Sequence, residues 1–441
     1  MRGTIKRKYL VIVGGTTMLK EVRYENWKSY KEATLHIDPL TVLIGTNASG
    51  KSNALDGLAF LNRAVQGSSL QMALTGDSTI LLDSTLNAIR GGVEWAARKP
   101  GDTFCLKALV QFEANVDYEY KIVVKASQQV ELLSESLAII KYQPGTSKRT
   151  ILFEADIEQD NSPIIMVSIN EGKKGRPKKD QFKRSVSVIS QLAGQKFSKE
   201  IERGIECIVT TLENVFILDP VPALMRDYKP FSSQLATNAS NLAGMLAALP
   251  KIEKTYIESL LSKYVSRLPE GDIRKVWAEP VGRFKNDAML YCREKWAEIE
   301  KPLEVDARGM SDGTLRFLGI LTALLTRPEG TLIIIEEVDN GLHPSRAHLL
   351  LEMLKEIGKE RRIDILVTTH NPALMDELGP EMIPFIVVAH RSRETGESKL
   401  TMLEDINNLP KLLAYGPLGK ISARGIIEEN LSKKGGITCE K

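Results

Sequence analysis

The sequence predicts an α/β protein with a mainly parallel core sheet, an N-terminal antiparallel β subdomain and a mixed insertion. Three observations predict it. A wholly apolar strand, Leu40–Ile44, runs into a glycine-rich turn and then a helix. β-rich stretches fill Thr103 to about Ile140. From Leu303 onward helices alternate with short apolar strands, the pattern of a parallel sheet covered on both faces.

In chain order, Arg2, Lys6, Arg7 and Lys8 precede the apolar Tyr9–Val13. That stretch is shorter than the roughly 7–15 residues of a signal-peptide core, so 1–17 reads as an N-terminal extension. A first lobe is expected over 18–140. It opens with short strands at Met18–Tyr24, Ala33–Ile37 and Leu40–Gly45, and Lys51–Arg63 then forms a helix with Ala54, Leu55, Leu58 and Leu61 on one face. A mixed α/β insertion, a region for recognition or a partner, is expected over 141–300. It holds a polar basic loop, an amphipathic helix (Ile201, Ile205, Ile208, Val209, Leu212) and a helical pattern through Ala288–Ile299, with no sustained heptad. A second lobe covers 301–441, with helix Thr314–Leu325, strand Thr331–Ile335, helix Ser345–Ile357 and strand Ile363–Thr368. Short strands follow at Phe385–Val388 and Lys399–Leu403.

Composition narrows the function. The net charge of +3 does not call for nucleic acid over the whole surface, though a local basic patch stays open. Cys105, Cys207, Cys292 and Cys439 lie far apart without a CxxC pair, which excludes a zinc ribbon and fits a reducing cytoplasm. No apolar run approaches the roughly 20 residues that cross a bilayer, so no membrane role is expected.

The strongest chemical signal is Gly45-Thr46-Asn47-Ala48-Ser49-Gly50-Lys51-Ser52, a complete GxxxxGK[ST] between an apolar strand and a helix. Glycines let the backbone wrap closely, N–H groups at the helix start face phosphate oxygens, and Lys51 reaches the β and γ positions. Gly45, Asn47, Ser49, Gly50, Lys51, Ser52 and Asn53 are the expected ATP contacts, with Ser52 on Mg²⁺. The second signal is an apolar strand ending in Glu336 and Glu337, adjacent carboxylates that are costly at a buried strand end unless a cation or proton transfer requires them. Glu336 is assigned to Mg²⁺ and Glu337 to the attacking water. Ser311-Asp312-Gly313 at the start of a helix reads as a cap or as a phosphate contact, and His370 ends a strand before Asn371-Pro372.

Together these residues resemble the predicted ATPases of the AAA-21/AAA-15 type, related to the heads of RecF, SMC and OLD-family proteins. The likeness spans Met18 to the C-terminus through Asn26-Trp27-Lys28-Ser29-Tyr30, Ser240–Ala243, SDGTLRF from Ser311, EEVDNGLHP from Glu336 and THNP from Thr369. The resemblance implies an ABC-type P-loop ATPase head. It places Lys28 near the nucleotide, Ser311 and Gly313 on the ATP of the opposite subunit, His370 on the γ-phosphate as switch histidine, and Asp339 as a carboxylate communicating between subunits. Glu336 stands where most ABC enzymes have Asp, Val338 where the subfamily often has Pro, and Met310 and Thr314 where the LSGGQ form has Leu and Gln. Gln71 and Arg90-Gly91-Gly92 are the candidates for the Q-loop.

The run Gly172-Lys173-Lys174-Gly175-Arg176-Pro177-Lys178-Lys179, with Lys183 and Arg184, reads as a solvated hairpin tip or as a contact to DNA or RNA phosphates; Gly-Arg-Pro resembles an AT-hook core. Asp160 with Glu171-Gly172-Lys173 fits a nuclease pattern only superficially, and the stretch after His370 is too short for a Toprim nuclease. The expected protein is an ATP-dependent switch that homodimerises around ATP, with higher oligomers open. By resemblance it serves a separately encoded effector, a nuclease among the candidates, in antiviral defence. The alternatives are a RecF-like repair ATPase and a scaffold with negligible turnover that holds a toxic partner.

Overall fold

Strand Leu40–Ile44 is buried at every position, because alternate side chains enter cores on opposite faces of one sheet. Val42 and Ile44 join one core; Leu43 joins the other. The computed structural model describes residues 17–76, 89–155, 162–171, 177–295, 301–341 and 343–432. Residues 1–16 of the N-terminal extension, Asp160 and residues 172–176 of the basic loop lie outside them.

The strands are β1 (Met18–Trp27), β2 (Tyr30–His36), β3 (Leu40–Ile44), β4 (Thr103–Glu113), β5 (Val116–Ala126), β6 (Val130–Gln143), β7 (Thr146–Ala155), β8 (Ile164–Ile169) and β9 (Lys178–Lys183). They continue with β10 (Val215–Leu218), β11 (Lys229–Pro230), β12 (Ile273–Val281), β13 (Asp287–Glu294), β14 (Leu303–Asp306), β15 (Leu332–Ile335), β16 (Asp364–Thr369), β17 (Ile386–Arg391) and β18 (Ser398–Met402). Fourteen of them form one sheet in the order β10-β15-β16-β3-β17-β18-β2-β1-β4-β5-β6-β7-β8-β9. From β10 to β17 neighbours run parallel; from β2 to β9 they run antiparallel. The two halves meet where β18 touches β2, through the pair Ser398↔Tyr30. The sheet is therefore a parallel core with an antiparallel wing, as the sequence predicts.

Helix α1 (Lys51–Val65) covers one face of the core with Leu55, Leu58 and Leu61. After α2 (Leu70–Thr75) and α3 (Val188–Leu192), α4 (Lys199–Glu213) packs on that same face through Ile201, Ile205, Ile208 and Leu212, the stripe the sequence predicts. The stretch after β10 adds α5 (Pro222–Met225), α6 (Leu242–Ala248) and α7 (Lys251–Val265). The opposite face is covered by α8 (Asp312–Thr326) and α9 (Ala347–Arg361).

One expectation needs correction. The segment from Ala288, expected to be helical, is the strand β13, paired with β12 on one edge and β14 on the other. Its Ala, Met, Leu, Arg and Glu suit a helix locally. Yet Ala288, Leu290 and Cys292 point into the core at period two, and ladder bonds on both edges outweigh the local preference.

Candidate functional site

The site lies at the carboxyl ends of β15, β16 and β3, neighbours in the sheet. The chain leaves β3 through Gly45 at φ 148°, where a Cβ would stand 2.2 Å from the Ala389 carbonyl oxygen of β17. Only glycine fits so close a backbone. Gly50, at φ 114°, closes the loop at the N-terminus of α1, whose first N–H groups have no intrahelical acceptor. Lys51 Nζ folds back to donate to the carbonyls of Gly45 (2.6 Å) and Thr46 (3.0 Å). Burial lowers its pKa from the usual lysine value, against the opposing pull of Glu337 and Glu336.

The Ser52 hydroxyl donates to Glu336 Oε1, while Arg90 Nη2 pairs with Glu336 Oε2. Strand parity explains the direction: Leu332 and Ile334 face the core under α1, and Glu336 continues that face. Glu337, at φ 46°, turns the other way. Its N–H donates to Thr368 Oγ1 at 2.8 Å, and its carboxylate lies 3.5 Å from His370 Nδ1.

Behind the carboxylates, Arg316 of α8 sits buried. Nη1 donates to the Pro220 carbonyl at 3.0 Å, and Nη2 reaches the carbonyls of Glu336 (3.1 Å) and Glu337 (3.3 Å) and the Asp219 carboxylate (3.4 Å). Leu218 pairs with Ile335 across β10 and β15, so Asp219 leaves the sheet beside Glu336. A cavity of about 600 Å³ opens between α1, β10 and the segment after it, reaching Arg90 and Glu336.

Ser311 caps α8, its hydroxyl accepting from the Thr314 N–H at 3.1 Å. Arg226 holds the preceding loop by donating to the carbonyls of Ala307, Arg308 and Met310 and to Asp312. Asn53 Nδ2 donates to Ser29 Oγ at 2.7 Å. Lys28 is spent on the Asp56 carboxylate, one helical turn beyond Ser52, and on the Arg90 carbonyl at 2.7 Å. Of the Q-loop candidates, Gln71 is exposed on α2 and Arg90 enters the site.

The donor set fits a magnesium nucleotide. The Ser49 hydroxyl is buried within the loop with no hydrogen-bond partner among the described residues. Ser52 and Glu336 present two hard oxygens side by side. Asp339 Oδ1 is another buried oxygen without a hydrogen-bond partner among the described residues. Arg316, Thr368 and Asp219 escaped the sequence reading. An arginine inside the otherwise apolar run Leu315–Leu318 was the available signal for the first.

The family model described as "AAA domain, putative AbiEii toxin, Type IV TA system" matches residues 40–376. The methionine import ATP-binding protein MetN of Corynebacterium glutamicum is 26% identical over 153 residues, 32% of this chain and 40% of that protein. The ATP/GTP phosphatase of Helicobacter pylori is 28% identical over 140 residues, 31% of this chain and 35% of that one. The matched stretch thus spans two fifths or less of these curated relatives. Among solved structures, the SMC head bound to the C-terminal winged-helix domain of ScpA has a TM-score of 0.47 at 12% identity, covering 87% of this chain and 97% of that chain. The Pyrococcus furiosus SMC head with an extended coiled coil gives 0.47 at 12% identity, covering 94% and 99%.

Proposed function

This chain belongs to the AAA-21 family, and from that premise we propose an ATP-binding and ATP-hydrolysing switch whose two copies close on nucleotide. One observation carries the reading: Lys51, Ser52, Glu336, Glu337 and His370 converge where adjacent parallel strands end. The loop Gly45–Gly50 wraps the phosphates, with Asn47, Ser49 and Asn53 alongside. Lys51 exchanges its carbonyl partners for β and γ oxygens. Ser52 and Glu336 hold Mg²⁺, which supplies positive charge against the phosphates. Glu337 orients a water and takes its proton, and His370, beside it, contacts the γ-phosphate.

In the closed pair Ser311 and Gly313 of one copy complete the ATP site of the other, and Asp339 communicates across the junction. Hydrolysis then acts as a timer for a conformational change. Family membership supports a separately encoded effector, with antiviral defence as the setting. The lysines Lys178, Lys179 and Lys183 of edge strand β9 support contact with nucleic-acid phosphates, and the cytoplasm is the proposed compartment.

Lys51→Ala tests the reading by fluorescent-nucleotide titration. Loss of binding with retained fold is expected; retained micromolar affinity overturns it.

A further inference from the structure

Glu336, the carboxylate assigned to the metal, has both oxygens engaged: Oε1 by the Ser52 hydroxyl and Oε2 by Arg90 at 2.5 Å. A guanidinium there occupies the place of a cation. The Arg90 side chain is 55% exposed, but its backbone is anchored. Ile89 before it is buried and donates to the Leu74 carbonyl at 3.0 Å. Lys28, its side chain 5% exposed, donates to the Arg90 carbonyl, and its pairing with Asp56 ties that contact to α1. Gly91 and Gly92, at φ 79° and 52°, then turn the chain away, with the Gly92 N–H returning to the Ile89 carbonyl at 2.7 Å. The backbone is pinned on both sides, and the guanidinium is aimed at one carboxylate.

We propose that Arg90 is a latch: its guanidinium holds Glu336 in place of the metal in the nucleotide-free protein and must release it when the metal–nucleotide settles. The proposal rests on the assignment of Glu336 and Ser52 to Mg²⁺. A divalent ion beside Glu336 faces the arginine as a like charge, and the pair is incompatible with a metal ligand on the same oxygen. Asp56 and Asp219, paired with Lys28 and Arg316, also attract Arg90 and remain near it on release.

The test titrates MgCl₂ against binding of a fluorescent ADP to the full chain. Arg90→Ala should reach half-saturation at roughly two- to five-fold lower Mg²⁺ than wild type, the scale of a part-exposed ion pair. Arg90→Lys, which keeps the charge, should stay near wild type. An unchanged or higher Mg²⁺ requirement in Arg90→Ala overturns the latch, the latter outcome making Arg90 a phosphate ligand instead. Ser52→Ala separates the two claims. If it raises the requirement while Arg90→Ala leaves it unmoved, the latch alone falls; if wild-type binding ignores Mg²⁺, the metal assignment falls with it.

Discussion

Arg316 Nη2 donates to the Glu336 carbonyl at 3.1 Å, so the helix that begins at Ser311 is tied to the turn that carries both carboxylates. Within one chain the proposed signature segment and the proposed hydrolysis site are thus directly bonded. A disturbance at the start of α8 is therefore expected to reach Glu336 and Glu337 directly.

Arg316→Ala should cost about 2–4 kcal/mol of stability, because it strips a buried cation from three carbonyls and leaves them unsatisfied. Arg316→Lys should recover part of that stability but not turnover, since an ammonium lacks the planar fork that spans Pro220, Asp219 and the two glutamate carbonyls. Urea denaturation and phosphate release measure the two effects. Wild-type turnover in Arg316→Lys would sink the positioning role.

Glu337→Gln should bind ATP and hydrolyse it at least about a hundredfold more slowly, the usual scale for losing a general base. Ser52, Glu336 and Lys51 are untouched. Closure driven by ATP and opened by hydrolysis then leaves the closed pair to accumulate, visible by mass photometry with ATP and Mg²⁺. Normal hydrolysis removes Glu337 from the base role; slow hydrolysis without a change in assembly removes hydrolysis from the switch.

Ser311 has a structural duty as cap of α8, and two substitutions separate it from the proposed action on a partner's phosphate. Ser311→Ala should cost about 1 kcal/mol through the lost cap. Ser311→Asp keeps a capping oxygen but sets a negative charge where the partner's γ-phosphate is expected. It should retain stability and nucleotide binding while losing turnover. Full activity in Ser311→Asp leaves Ser311 as a cap alone.

Burial drives the Glu135 carboxyl up to about 7, against the N–H groups of Val188 and Ile189 and the Tyr120 hydroxyl, which favour its charge. Between the unfolded value of 4.5 and about 7, the folded chain holds a proton that the unfolded chain has released. Stability therefore falls as pH rises through that window and levels off above it. Asp364, raised to about 7 by burial and by Asp38, acts in the same direction. Glu135→Gln should roughly halve the loss of stability between about pH 5 and 7, measured by urea denaturation at both ends. The wild-type slope in that variant would mean the carboxyl titrates normally.

The phosphate loop and the carboxylate pair were legible because each is contiguous and its flanks repeat a strand-then-helix period. Arg90 was reachable only as one of two candidates, since its partner lies 246 positions away and local pattern carries no distance information. Arg316 announced itself faintly: a guanidinium amid Leu315, Phe317 and Leu318 is costly unless bonded. The failure at β13 has the same root. Its pairing comes from β12 and β14, and neither edge is visible in the composition of the strand itself.

The seam between the parallel core and the antiparallel wing gives the phosphate loop a mechanical setting. The halves of a fourteen-stranded ribbon are stitched by Tyr30 and Ser398, and Gly50 rests on that stitch. The Tyr30 hydroxyl donates to its carbonyl at 2.9 Å, and Ser398 Oγ lies 2.7 Å from where its Cβ would stand. A ribbon flexes where its bonding is thinnest, and hinges reside in a few such residues. The sparsest pairing of the sheet and the floor of the phosphate loop are thus the same few atoms. A change at Tyr30 or Ser398 is therefore expected to be felt at Gly50 and at the junction of the two half-sheets together.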